Sequence, residues 1–151
     1  MNIKRITPSE CHVVTQLFDE YRVFYKYPSD PARAEFFLKE RLQNNESVIF
    51  VALTDDGTPV GFTQLYPLIS SGRAIKNWVL NDLYVSPESR KQGIGEALIK
   101  TATEFAKADG AAFLQLETAI DNYNAQRLYE NEGFIKQEPD PAFFTYRLPL
   151  K

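Results

Sequence analysis

Apolar positions along the chain switch between two periods, and each switch marks a new element. Asn2 to Ile6 alternates and reads as a short strand. Thr7-Pro8-Ser9-Glu10 is a capping box with proline at the first helical position, so it predicts a helix start. Val13, Val14, Leu17, Phe18, Tyr21, Phe24 and Tyr25 then recur at helical spacing and predict a buried stripe. Tyr27-Pro28-Ser29-Asp30-Pro31 interrupts that helix. Asp30 as cap, with Pro31 next, predicts a second helix carrying Ala34, Phe37, Leu38, Arg41 and Leu42 on one face and stopping at Asn44-Asn45.

The period then falls to two. Val48 to Leu53 is continuous and rich in β-branched residues, Asp55-Asp56-Gly57 signals a hairpin, and Val60 to Leu68 is the return strand. Ser70-Ser71-Gly72 turns it into Ile75 to Val85, and turns this short demand antiparallel pairing. Ala97, Leu98, Thr101, Ala102, Phe105 and Ala106 form a helical face that ends at Asp109-Gly110. Phe113 to Thr118 reads as a strand parallel to Ile75–Val85, because a helix carries the chain across between them. Ala125 to Glu132 is a short helix stopped by Gly133, and Phe134 to Gln137 and Phe143 to Leu148 read as two last strands. The expected architecture is mixed α/β, a mostly antiparallel sheet of about seven strands with about four helices, in one domain over residues 1–151.

The stretch from Trp78 to Ala97 carries the chemistry: an apolar strand, a break at Ser86-Pro87, then Arg90-Lys91-Gln92-Gly93-Ile94-Gly95 before a helix. The first amides of a helix lack partners inside it and the helix dipole favours negative charge there, so strand, glycine loop and helix start make an anion site suited to a pyrophosphate. The spacing is neither the dinucleotide fingerprint, which has a third glycine, nor a P-loop, which ends in Gly-Lys-Ser/Thr. Taken alone, the loop is also compatible with a plain flexible turn into the helix.

Composition narrows the partners. With 44% hydrophobic and 25% charged residues the chain is an ordinary globular one, and a net charge of −3 carries no nucleic-acid footprint. One cysteine excludes an internal disulfide, and no spacing of metal ligands occurs, so no metal is expected. Met1 leads straight into a strand pattern with no signal-like or membrane-spanning run, which makes a cytoplasmic protein without membrane partners the expectation.

Two blocks resemble the GCN5-related N-acetyltransferases. Arg90, Gly93 and Gly95 match the R/Q-x-x-G-x-G/A signature, and Asn122, Ala125, Leu128, Tyr129, Gly133 and Phe134 match N-x-x-A-x-x-L/F-Y followed by G-F. The intervening helix and strand fit as well, so the resemblance covers nearly the whole chain. Asn81 to Val85 looks like the Hpa2-like branch and is similar to the spermidine/spermine acetyltransferases. The resemblance implies the fold of that superfamily, acetyl-CoA as co-substrate and a primary amine as acceptor. It implies that the N–H groups of Lys91, Gln92, Gly93, Ile94, Gly95 and Glu96 hold the pyrophosphate, with Arg90 beside them. It implies too that the backbone of Leu83, Tyr84 and Val85 pairs with the pantetheine arm, and that Asn122 and Asn124 contact that arm or order the loop next to it.

By the same resemblance Tyr129 is the candidate general acid for the departing thiolate; from its neighbours alone it reads as packing beside Leu128. The spermidine/spermine enzymes carry Glu-Asp where Asn81-Asp82 stands. Asn81 cannot accept a proton, which leaves Asp82 as the nearest candidate base, against a purely structural role. Glu117 is an alternative base or an ordinary solvated residue. Acceptor specificity is expected from Tyr21, Arg22, Tyr25, Gln64, Tyr66 and Asn81. Arg22 favours an acceptor bearing a carboxylate, which conflicts with a pure polyamine. Cys11 reads as packing, His12 as solvated, and Trp78 as core or dimer surface. The overall expectation is acetyl transfer to a small-molecule amine, polyamine or amino-acid-like acceptor by direct attack. The alternatives are a protein lysine or N-terminal acetyltransferase and a non-catalytic acyl-CoA sensor. Family habit implies a homodimer paired through the C-terminal strands.

Overall fold

The computed structural model describes every residue from Met1 to Lys151. Strands β1 (Asn2–Arg5), β2 (Val48–Leu53), β3 (Pro59–Ser70), β4 (Ile75–Val85) and β5 (Leu114–Gln115) form one sheet in that order. The first four run antiparallel, as the short turns require, and β5 joins β4 in parallel with Trp78 opposite Leu114 and Val79 opposite Gln115. Four α-helices complete the fold: α1 (His12–Phe24), α2 (Pro31–Gln43), α3 (Ile94–Ala108) and α4 (Tyr123–Asn131). The mixed α/β expectation holds.

Caps set the helix starts. The Thr7 N–H donates to Glu10 Oε1 at 2.9 Å, as the capping box anticipates, but the turn it opens is a single 3-10 turn and α1 begins only at His12. The Arg33 N–H donates to Asp30 Oδ1 at 3.1 Å, so Asp30 does cap α2.

Both faces of the sheet are covered. Val14, Leu17 and Phe18 of α1 and Ala34, Leu38 and Leu42 of α2 pack on Ile49, Val51, Phe62 and Tyr84. On the opposite face Ile94, Leu98, Ile99, Ala102 and Ala106 of α3 pack on Val48, Phe50, Ala52, Leu65, Trp78 and Leu80. That double cover is why β2 is apolar at every position rather than alternating. Each fully buried Leu or Ile contributes about 1.5–3 kcal/mol, so α3 is held chiefly by the sheet beneath it.

Two expectations need correction. The α1 stripe does not stay buried to its end: Phe24 is 60% and Tyr25 55% exposed, because α1 runs past the residues that cover it. The sheet has five strands, not about seven. The strand expected over Phe113–Thr118 shrinks to Leu114–Gln115, and neither Phe134–Gln137 nor Phe143–Leu148 forms a ladder. Phe134 is taken up in the cap of α4, described below. Phe144, Tyr146 and Leu148 alternate with Thr145 and Arg147 but stand 82–91% exposed. Alternation states what a strand would bury; it forms one only where an edge and a covering face receive it, and here no part of the chain supplies them.

One close approach holds α3 to the sheet. A Cβ at Gly61 on β3 would lie 3.0 Å from the Tyr84 carbonyl oxygen, 3.2 Å from Ile94 Cγ2 and 3.3 Å from Leu98 Cδ1. Gly61→Ala should therefore force α3 outward and cost about 1–3 kcal/mol of stability, as measured by urea unfolding.

Candidate active site

The sheet opens at its β4–β5 side. β5 pairs with β4 over two residues only, so from Leu80 to Val85 that edge of β4 has no strand beside it. Three elements converge on the opening. Arg90 stacks over Phe24 and Tyr84, its guanidinium carbon 5.9 and 5.6 Å from the ring centres, and its Nε donates to the Val85 carbonyl at 2.9 Å. Leu128 of α4 lies against Gly95, where an added Cβ would meet Leu128 Cδ2 at 3.8 Å.

At the head of α3 the loop is shaped for an anion. The amides of Lys91, Gln92, Gly93, Ile94, Gly95 and Glu96 have no acceptor anywhere in the protein, and no side chain caps the helix. Gly93 sits in the left-handed region at φ 80°, and Lys91, which is not a glycine, is held there at φ 63°. For Gly93 that conformation is open, but for Lys91 it costs about 1–3 kcal/mol, so the surrounding structure imposes the loop's shape. Consecutive amides turned outward on a helix dipole fit a pyrophosphate.

The second feature depends on one extra residue in β4. Gln64 faces Asp82 and Leu65 faces Leu80, which leaves Asn81 with no partner across the ladder. Before this bulge Trp78 and Leu80 point to the α3 face; after it Leu83 and Val85 take that face, and Tyr84 joins the α1–α2 core. Asp82 shares the parity of Tyr84. Without the bulge, side chains 82 and 84 would have pointed at α3.

Asp82 is 3% exposed. Gln64 Nε2 donates to its Oδ2, Asn81 Nδ2 donates to Oδ1 at 2.9 Å, and Tyr21 stands against it. Burial raises the Asp82 pKa above the ordinary carboxylate range, while Gln64, Asn81 and Tyr21 pull the other way. Burial first, and the neighbouring carboxylate second, push the Tyr21 and Tyr66 phenols above their ordinary range. The cluster thus pairs a carboxylate of raised proton affinity with phenols that stay protonated. Gln64 Oε1 is buried and accepts no hydrogen bond.

Tyr129 is fixed from behind by a helix C-cap. The Phe134 N–H donates to the Tyr129 carbonyl and the Gly133 N–H to the Glu130 carbonyl, both at 3.0 Å, with Gly133 at φ 96°. That is a Schellman motif, and its usual apolar contact is the Tyr129–Phe134 ring pair, centres 5.9 Å apart. Burial, with the Tyr25 hydroxyl as a smaller contribution, raises the Tyr129 pKa, so the phenol keeps its proton. Tyr25 in turn meets Tyr21 edge to face at 5.0 Å.

Residues 14–134 match the model of the acetyltransferase (GNAT) family. The chain belongs to that family. It is 43% identical to the uncharacterized N-acetyltransferase YhfO of Bacillus subtilis (strain 168) over 98% of this chain and 97% of that one. It is 32% identical to a probable acetyltransferase of Haemophilus influenzae, over 90% of each. A crystal structure of a probable acetyltransferase superposes with a TM-score of 0.87 at 38% identity, covering 100% of this chain and 99% of the other. As a GNAT protein the chain is an acetyl-CoA-dependent N-acetyltransferase.

Other expected site residues of this GNAT enzyme fall in several places. Asn122 caps α4, its Oδ1 accepting from the Ala125 N–H at 3.2 Å, and Asn124 Oδ1 accepts from Arg127 Nη2 at 2.8 Å. Both side chains order the helix start beside the opening. Glu117 is exposed beyond the end of β5, which matches its solvated reading. Cys11 is buried and His12 exposed. Trp78 is core, its Nε1 donating to Asp109 Oδ2 at 2.8 Å. Two positioning residues are not among those expected. Thr63 Oγ1 donates to the Asp82 carbonyl at 2.8 Å, and Asn77 Oδ1 accepts from the Ala112 and Phe113 N–H groups at 2.8 and 3.1 Å, anchoring the start of β5. Their signal was weak, because each sits beside another polar residue of its strand, Thr63 next to Gln64 and Asn77 next to Lys76.

The Asp82 environment yields a pH signature. Its folded pKa lies above the ordinary 3.8, so the native state binds that proton more tightly than the unfolded chain does. The resulting stabilisation is complete below about pH 3.8 and fades as pH rises through the raised pKa. Asp82→Asn lacks this titration, so its melting temperature relative to the parent should climb through that window and then level off. A pH-independent difference would show that the carboxyl is not desolvated.

Proposed function

We propose that this GNAT enzyme transfers acetyl from acetyl-CoA to a primary amine of a small molecule by direct attack. The observation that carries the reading is the set of consecutive free amides from Lys91 to Glu96 at the head of α3, next in sequence to a strand whose edge from Leu80 to Val85 has no neighbour. In this reading those amides and the α3 dipole hold the pyrophosphate, and Arg90 packs the loop against the end of α1. The free edge of β4 at Leu83, Tyr84 and Val85 offers main-chain groups to the pantetheine as an added strand would. Acetyl-CoA supplies an acyl group already activated as a thioester.

The protein's own part is placement and proton traffic. An amine arrives mostly as an ammonium ion and must lose a proton before it attacks. Asp82 is the base; because it is buried, the proton reaches it through a bridging hydroxyl or water, and the hydroxyl in place is that of Tyr21. Tyr129 holds a proton at its phenol oxygen for the sulfur as the acyl bond breaks. Tyr25, Tyr66, Gln64 and Asn81 wall the acceptor side.

We further propose that residues 1–151 act as one domain, that the enzyme is cytoplasmic, and that it forms a homodimer. No helix is long and apolar enough to cross a membrane. The exposed, alternating Phe143–Leu148 segment supports pairing with a second copy, which sedimentation or light scattering would register as twice the 17.3 kDa of one chain.

Tyr129→Phe should lower kcat about a hundredfold or more with the affinity for acetyl-CoA unchanged, read as coenzyme A release across an amine panel. Unchanged turnover removes Tyr129 from the acid role. Gly93→Asp should weaken coenzyme A binding at least tenfold, since it sets a negative charge among the free amides and a side chain at φ 80°. Calorimetry without detectable heat for the parent protein would overturn the whole reading.

A further inference from the structure

Arg22, in the last turn of α1, has no anionic partner. Its Nη1 is buried and donates to nothing, and no ion pair of the protein includes it or Arg33 on α2. The acceptors nearest along the chain are already used. Asp19, one turn back, accepts from Ser29 Oγ at 2.6 Å and from the Asp30 N–H at 2.7 Å. The last carbonyls of α1 are taken as well: Tyr21 and Arg22 accept from the Tyr25 N–H, Arg22 again from the Tyr27 N–H, and Val23 from the Lys26 N–H. The Tyr27 ring, 5.5 Å from the guanidinium, attracts its charge but takes no hydrogen bond from Nη1. A buried guanidinium N–H without an acceptor is costly, and a bound anion is one physical reason for keeping it.

Such an anion has a place to bind. A cleft of about 240 Å³ between α1 and α2 is lined by Phe18, Arg22, Arg33, Ala34 and Phe37. The Phe18 and Phe37 rings lie parallel with centres 5.7 Å apart, and Ala34 is buried beside them, so the floor is apolar. Arg33 is exposed and brings a second guanidinium. Apolar walls with two unpaired guanidinium groups match a ligand that has an apolar body and one anionic head. A guanidinium fork takes a carboxylate through two parallel N–H bonds, whereas an inorganic phosphate would leave the apolar floor uncovered.

The cleft is separate from the acetyl-transfer centre. It shares no lining residue with Tyr21, Gln64 and Asn81 around Asp82, and buried Phe18, stacked on Tyr21 with centres 6.1 Å apart, closes it off from them. It shares none with the loop from Arg90 to Glu96 either. An occupant of the cleft is therefore an effector and not a reactant.

We infer that the α1–α2 cleft is a second ligand site that takes a small aromatic carboxylate. The ring of the ligand lies against Phe18, Ala34 and Phe37, where it extends the aromatic packing, and its carboxylate meets Arg22 with Arg33 beside it.

The test titrates the intact protein with phenylacetate, with its neutral counterpart phenylacetamide, and with inorganic phosphate. Phenylacetate should move the backbone amide resonances of Phe18, Ala34 and Phe37 and the Arg22 Nε–H resonance, and should bind about tenfold or more tightly than phenylacetamide. Arg22→Gln should abolish that preference, and Arg22→Lys, which keeps the charge but not the fork, should retain part of it. Arg33→Gln, at an exposed position, should weaken phenylacetate severalfold without disturbing the fold. Saturating coenzyme A should leave the affinity for phenylacetate unchanged. Unmoved cleft resonances overturn the site and leave water alone on Nη1. Equal binding of phenylacetamide, or full affinity in both Arg22→Lys and Arg33→Gln, overturns the role of the arginines. Displacement of phenylacetate by coenzyme A overturns its separateness, and displacement by an equal concentration of phosphate overturns the ligand class.

Discussion

One residue more in β4 than its partner can pair organises the site. Asn81 has no partner on β3, so the strand's side chains exchange faces at that point, and Asp82 and Tyr84 turn toward α1 and α2. A carboxylate is thereby buried among Gln64, Tyr21 and Asn81, where burial raises its proton affinity. β4 also keeps only two paired residues with β5, so its other edge stays free toward the loop at the head of α3. A regular strand paired along its whole length would have closed the opening and sent Asp82 into the α3 packing.

The same economy appears around Tyr129. The G-F that follows it does not begin a strand. Gly133 and Phe134 complete the C-cap of α4, and the Phe134 ring braces the phenol whose carbonyl it satisfies. Conformational strain is spent in the loop itself, at Lys91, beside six amides that have no acceptor within the protein. Packing on both faces of the sheet supplies the stability that these unsatisfied and strained groups consume.

Arg22 and Asp82 show how burial separates charges that the sequence leaves equivalent. Asp19 and Asp82 are both buried aspartates, yet the first is used in closing the α1–α2 loop and the second is held by the side chains of Gln64 and Asn81. With Asp19 so occupied, Arg22 Nη1 is left buried without a hydrogen-bond partner.

Local rules were enough for much of this protein. Apolar periodicity, the Thr7–Glu10 and Asp30 caps and the short hairpin turns determine the helices and the antiparallel meander, because those signals act over a few neighbouring residues. Two spaced blocks, around Gly93 and around Tyr129, determine the family. Tertiary structure decided the rest. Whether Phe143–Leu148 becomes a strand depends on an edge elsewhere, whether Phe24 and Tyr25 are buried depends on where the sheet ends, and which face Asp82 takes depends on a register shift opposite Gln64. Each is a relation between segments far apart in the chain, and no window of neighbouring residues contains it.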